Sequence, residues 1–187
     1  MSSHIIVVGT NHILQGGEGN PIFIIDPGYR WYIEKIITES RVDFIFEEAT
    51  NSGPTVAERI AEDRLGKGHY LDIDRIETRE ALGIGPSQYE VLPPTPQVGF
   101  QEIAFRFVVA DQKKREMAWL QTIQKNHFNC GLLICGLTHL LSMAFQLESY
   151  YSVEARNYSP EQRACRRTHR VTIPGLVLHD GDTERPL

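Results

Sequence analysis

The sequence has little cysteine: Cys130, Cys135 and Cys165, three in 187 residues. No two of them form a C-x-x-C pair, so neither a zinc knuckle nor a thioredoxin-type redox motif is available. Cys130 and Cys135 lie in or beside an apolar run, where an unpaired thiol serves as a small hydrophobe. Long apolar runs are missing too, and none nears the roughly 20 residues that a membrane-spanning helix requires. Met1-Ser2-Ser3-His4 leads straight into an apolar stretch, with no basic n-region and no cleavage signal. The expectation is a chain with no membrane partner, in a reducing, cytoplasmic setting. A basic excess is also absent, with 19 Lys and Arg against 24 Asp and Glu, a net charge of −5. That balance argues against a nucleic-acid partner. Three familiar signatures fail as well. Gly16-Gly17-Glu18-Gly19 lacks dinucleotide-binding spacing, Arg64-Leu65-Gly66-Lys67-Gly68 lacks most of a P-loop, and no G-x-S-x-G elbow occurs.

What is present suits a globular chain. Hydrophobic residues make up 41% and charged residues 23%, enough for one domain with its own core. Residues 1–158 are expected to form a single α/β domain, and 159–187 an irregular C-terminal arm with one strand at 171–173. Charge is uneven: residues 1–100 carry 15 acidic against 8 basic groups, whereas Arg163, Arg166, Arg167 and Arg170 make the arm basic. Such a cluster reads as a solvated tail or a partner patch.

Strands are expected at 4–9, 42–46, 70–74, 130–135 and 150–158, the last at an edge. Helices are expected at 29–41, 54–65, 75–82, 111–127 and 139–149. His4-Ile5-Ile6-Val7-Val8-Gly9 is apolar without alternation, as in strands buried on both faces of a parallel sheet. Alternation of strand and helix predicts a mainly parallel sheet flanked by helices. The stretch 83–99 holds Pro86, Pro93, Pro94 and Pro96; it reads as a long loop, serving as a lid, a binding loop or the contact arm of a homodimer.

Two strands end alike. Val7-Val8-Gly9-Thr10-Asn11-His12 and Ile134-Cys135-Gly136-Leu137-Thr138-His139 both run from an apolar strand into G-x-x-H. In a parallel sheet all carboxyl ends share one edge, where ligands bind. Two such turns can therefore bring two imidazoles to one crevice. The strand at 42–46 ends in Glu47-Glu48 at the same edge, and strand alternation points these two to opposite sides. His12, His139 and one of the two carboxylates, with Glu47 the expected third ligand, make a set suited to Mn, Co, Fe or Zn, with positions open for water. Arg115 and Trp119 share a helix face at i and i+4. The Arg115 fork suits a carboxylate or phosphate of a substrate. Asp72 and Asp74 offer a further ligand or base, or a solvated pair at a strand end.

Gly9-Thr10-Asn11-His12, Glu47-Glu48, Arg115-Glu116-Met117-Ala118-Trp119 and Cys135-Gly136-Leu137-Thr138-His139 together resemble the motif series of the TraB/Tiki superfamily, which includes erythromycin esterase-like and ChaN-like proteins. The resemblance covers about residues 4–149 in the same order. It implies an α/β fold built from related halves, and it implies His12, Glu47 or Glu48, Arg115 and His139 as site residues. Glu116 stands where the family commonly has Asn or Asp. Among members, Tiki proteins are divalent-metal-dependent proteases, erythromycin esterases open a lactone with a His-based mechanism, and ChaN-like proteins bind haem.

Two functions are consistent with these residues. The first is a hydrolase for an amide or ester bond in a small molecule or peptide, using a divalent ion or, without one, a His general base partnered by Glu. The second is a non-catalytic module that binds a small anion or haem in the same crevice.

Overall fold

The computed structural model describes residues 3–16, 26–49, 54–84, 98–158, 160, 172–173 and 176–180. The strands are β1 (His4–Thr10), β2 (Phe44–Glu47), β3 (Tyr70–Asp72), β4 (Cys130–Gly136), β5 (Ser152–Asn157), β6 (Thr172–Ile173) and β7 (Leu176–Asp180). The helices are α1 (Pro27–Ser40), α2 (Val56–Arg64), α3 (Ile76–Ala81), α4 (Val98–Gln124) and α5 (Leu140–Glu148), with one 3-10 turn at His12–Leu14. One seven-stranded sheet has the order β3-β2-β4-β1-β5-β7-β6. Every pairing in it is parallel except β6 with β7. The expected α/β architecture, a mainly parallel sheet flanked by helices, is therefore what the chain forms.

β1 and β4 lie at the centre, buried on both faces, as their unbroken apolar sequences require. On one face Tyr29, Ile33 and Ile36 of α1 and Ile60 of α2 pack on Ile6, Val8, Leu132 and Ile134. On the other, Trp119 and Ile123 of α4 and Met143 and Leu147 of α5 pack on Ile5, Val7, Phe46 and Leu133. From β1 the chain crosses to β2 on one side through α1, and from β4 it crosses to β5 on the other side through α5. The connections leaving the two central strands thus lie on opposite faces of the sheet, the arrangement at which open parallel sheets bind ligands at their carboxyl edge.

Local chemistry sets the element ends. Asp26 caps α1, accepting a hydrogen bond from the Gly28 amide at 2.9 Å, and Pro27 fills the first turn. Thr55 caps α2 by accepting from the Glu58 amide at 3.0 Å, so Pro54 precedes that helix instead of opening it.

Three features differ from expectation. α4 starts at Val98, well before 111. Strand β5 is internal, since β7 lies along its outer side from Ala155 to Asn157. The segment after 158, expected to be irregular apart from one strand, supplies both β6, at the expected place, and β7. Residues 85–97 of the expected loop, together with Cys165 and the four arginines from Arg163 to Arg170, lie outside the described residues.

Candidate functional site

The two G-x-x-H turns meet because each glycine makes room for the other motif. β1 and β4 run in register, Gly9 beside Cys135 and Thr10 beside Gly136. A Cβ on Gly136 would stand 2.7 Å from Nε2 of His12. A Cβ on Gly9 would stand 2.9 Å from Cδ2 of Leu140 and 3.2 Å from Leu137. The glycines thus serve close approach between strands and turns, and the first turn's imidazole lies directly over the second turn's backbone.

Glu48 sits between the imidazoles. It follows the last residue of β2, and its amide donates to the Ile134 carbonyl at 2.8 Å, which extends the β2–β4 ladder by one bond. Its side chain is buried, with 1% exposed. Oε2 accepts from the Gly136 amide at 2.8 Å. Oε1 accepts from Arg115 at 2.5 Å. The same Oε1 lies 3.6 Å from Nε2 of His12 and 3.7 Å from Nε2 of His139. Each ring is held through its other nitrogen. Nδ1 of His12 donates to Oε1 of Gln15 at 2.6 Å. Nδ1 of His139 donates to Oε1 of Glu116 at 2.7 Å. Both acceptors place the neutral-ring proton on Nδ1, so both Nε2 atoms turn to the crevice. His12 is partly open to solvent, with 35% of its side chain exposed, whereas His139 is buried.

α4 and α5 brace the His139 side. Glu116 also accepts from Ser142 at 2.5 Å and Gln146 at 2.9 Å. Burial alone would raise its carboxyl, but the bonds from His139, Ser142 and Gln146 outweigh burial and hold it below its ordinary value. Trp119 meets the His139 ring edge to face, centroids 4.9 Å apart. Its indole N–H donates to Asp74 at 3.1 Å. Asp74 is buried, takes an ion pair from Arg79, and accepts two bonds from Arg115 at 3.0 and 2.6 Å. Burial would lower the Arg115 guanidinium, but Asp74 and then Glu48 hold it above its ordinary value. Its Nε and Nη2 are thus engaged by two carboxylates of the protein. Asp74 is part of this network and is not a solvated strand-end residue.

Glu47 does not join the imidazoles. As strand alternation requires, it leaves β2 on the α1–α2 face, where Thr55 donates to its Oε2 at 2.5 Å and Tyr70 at 2.9 Å. It is fully buried, and burial pushes its carboxyl up to about 8 against the bonds from Thr55 and Tyr70. The expected metal set of His12, Glu47 and His139 is therefore not assembled. Among the described residues no group of three or more His, Cys, Asp or Glu is disposed to hold a metal ion. The donor chemistry explains why: the oxygen that both imidazoles face already carries the Arg115 cation. The described residues therefore do not fit a resident divalent ion.

Four residues in this network were not singled out for it in the sequence: Gln15, Glu116, Ser142 and Gln146. For Glu116 and Ser142 a signal existed, since helix faces at the crevice carry them beside Arg115 and His139. Gln15 follows a turn whose course has no sequence signature. Cys135 is buried in β4, its thiol pushed well up by burial and then by Glu48 and Glu116, as expected of an inert core cysteine. Among the described residues no helix is long and apolar enough to cross a membrane.

No protein-family model, curated protein or solved structure matches the chain.

Proposed function

We propose that the crevice hydrolyses an amide or ester bond by acid–base chemistry on two imidazoles gathered around Glu48. The observation that carries this is the approach of both Nε2 atoms to one carboxylate oxygen, at 3.6 and 3.7 Å, with both Nδ1 atoms tied. His12, the solvent-accessible ring, takes a proton from water on Nε2 as the water oxygen attacks the carbonyl carbon. Glu48 stabilises the imidazolium so formed. The same proton then passes from Nε2 to the departing alcohol or amine. His139 packs against Glu48 from the other side and is itself held by Glu116. Arg115 and Asp74 position the Glu48 carboxylate.

The order of the motifs and the pairing of the two G-x-x-H turns support a place near the TraB/Tiki superfamily, on the side of its His-based esterases. A binding module for a small anion is less well served, because Arg115 is already neutralised. The test is acid release from a panel of esters, lactones and peptide amides, with and without a chelator. Turnover of at least one class is expected, unaffected by chelation and at least about 100-fold weaker in His12→Ala. Turnover that His12→Ala leaves intact, or that chelation abolishes, refutes this reading.

A further inference from the structure

Behind His12, on the α1–α2 face, lies a set of buried polar atoms that the mechanism above does not use. Oε1 of Glu47, Nε2 of Gln15, the Tyr29 hydroxyl and the Thr10 hydroxyl are all buried, and none has a hydrogen-bond partner among the described residues. Native interiors pair nearly all such groups, and several orphans in one layer call for a shared partner.

They lie on one face of the sheet. The Gln15 carbonyl accepts from the Val56 amide at 2.9 Å, and the adjoining Thr55 hydroxyl bonds Glu47. Burial, and after it the neighbouring Glu47, holds the Tyr29 hydroxyl well above its ordinary value. Thr10 follows Ile6 and Val8 on the same face of β1. Gln15 links this group to the crevice, since its amide oxygen is what holds His12.

The chemistry of the set is one-sided. The Gln15 amide nitrogen only donates. Oε2 of Glu47 already accepts two bonds, so a proton on this carboxyl belongs on Oε1, which then donates. The hydroxyls of Thr10 and Tyr29 donate or accept. Among the described residues, the charged groups that act most on Glu47 are Asp72 and Glu58, both acidic, and neither would balance an anion. An uncharged group rich in acceptor oxygen fits; a carboxylate or phosphate does not.

We propose that Glu47, Gln15, Tyr29 and Thr10 form a binding subsite beside His12 for an uncharged carbonyl-bearing group of the ligand. In the hydrolytic reading, on which this role rests, the subsite receives an ester or amide carbonyl and presents neutral donors to it, as a neutral carboxylic acid does in an oxyanion site.

The probe is acetamide, with acetate as its isosteric charged control, each titrated into isotope-labelled full-length protein and followed by NMR. Acetamide is expected to shift the Gln15 side-chain amide, assigned by its loss in Gln15→Leu, and the Glu47 carboxyl carbon. Acetate is expected to bind at least about tenfold more weakly, because an ion here meets no countercharge. The Glu47→Leu variant is expected to lose the acetamide response. In His139→Ala, which would stop turnover, acetamide binding is expected to persist, so that failure of the hydrolase and failure of the subsite are told apart. An unshifted Gln15 amide in the wild type, or acetate binding as well as acetamide, overturns the proposal, and neither result depends on a variant folding.

Discussion

Replacing Gly136 by alanine tests the interlocking of the two turns. The new methyl group would lie 2.7 Å from Nε2 and 3.3 Å from Cε1 of His12, and 3.4 Å from Oε2 of Glu48. Ordinary contact needs about 3.5 Å, so the ring must retreat by nearly an ångström. Little of this cost falls on the core, because the His12 side chain is 35% exposed and can swing toward solvent. Alanine also lowers the entropy of the unfolded chain, which returns about 0.4–1 kcal/mol. The net loss is expected to stay within about 1 kcal/mol, or about 2–4 °C in Tm for a chain of this size. The functional cost is larger, since retreat breaks the 2.6 Å bond to Gln15 and misplaces the base; about 100-fold in turnover is expected. Gly9→Ala should invert this pattern. Its methyl group strikes Leu140, a buried residue of α5, at both Cδ2 and Cβ, and overpacking of that kind costs about 1–3 kcal/mol. Thermal unfolding, turnover and the His12 ring resonances are to be compared across wild type and both variants. Unchanged His12 resonances in Gly136→Ala would refute the reasoning, as would a Gly136→Ala less stable than Gly9→Ala.

Other perturbations have equally definite outcomes. Glu48→Gln leaves Arg115 with Asp74 alone and removes the charge facing both imidazoles; a loss of about 2–3 kcal/mol in urea unfolding is expected, below the range for a cation left wholly unpaired. Glu116→Ala strands Nδ1 of His139 and leaves Ser142 and Gln146 with only the bond between them, and should cost about 2–3 kcal/mol, with Glu116→Gln markedly milder. Glu47 gives a pH signature. Its carboxyl is raised from 4.5 to about 8, so between those values the folded state holds a proton that the unfolded chain has released, and stability falls as pH rises through that window. Glu47→Gln should remove this fall, and urea midpoints from about pH 5 to pH 8 that decline equally in both proteins would contradict it.

Much of the site was legible because it follows from strand geometry. Apolar runs without alternation mark β1 and β4 as central strands, and the shared G-x-x-H at their ends brings His12 and His139 to one edge. Alternation along β2 separates Glu47 from Glu48, but which of them faces the imidazoles depends on the sheet order, and that order lies in long-range pairing with no local signature. Arg115 does reach Glu48, but its two carboxylate partners have no signature in the sequence. A guanidinium reads alike whether it awaits a substrate or balances Glu48 and Asp74, and only burial of those carboxylates decides. The neighbour of β5 is β7, a long-range pairing with no local signature in the sequence.

The central claim is that His12 and His139 act as one unit without a resident metal. A double-mutant cycle on turnover of the best ester or amide from the panel, run with chelator throughout, tests it most directly. His12→Ala and His139→Ala should each lose at least about 100-fold, and the double variant should lose little more than the worse single one, as for groups that act together. Losses that multiply, or turnover that survives in the double variant, would contradict the account.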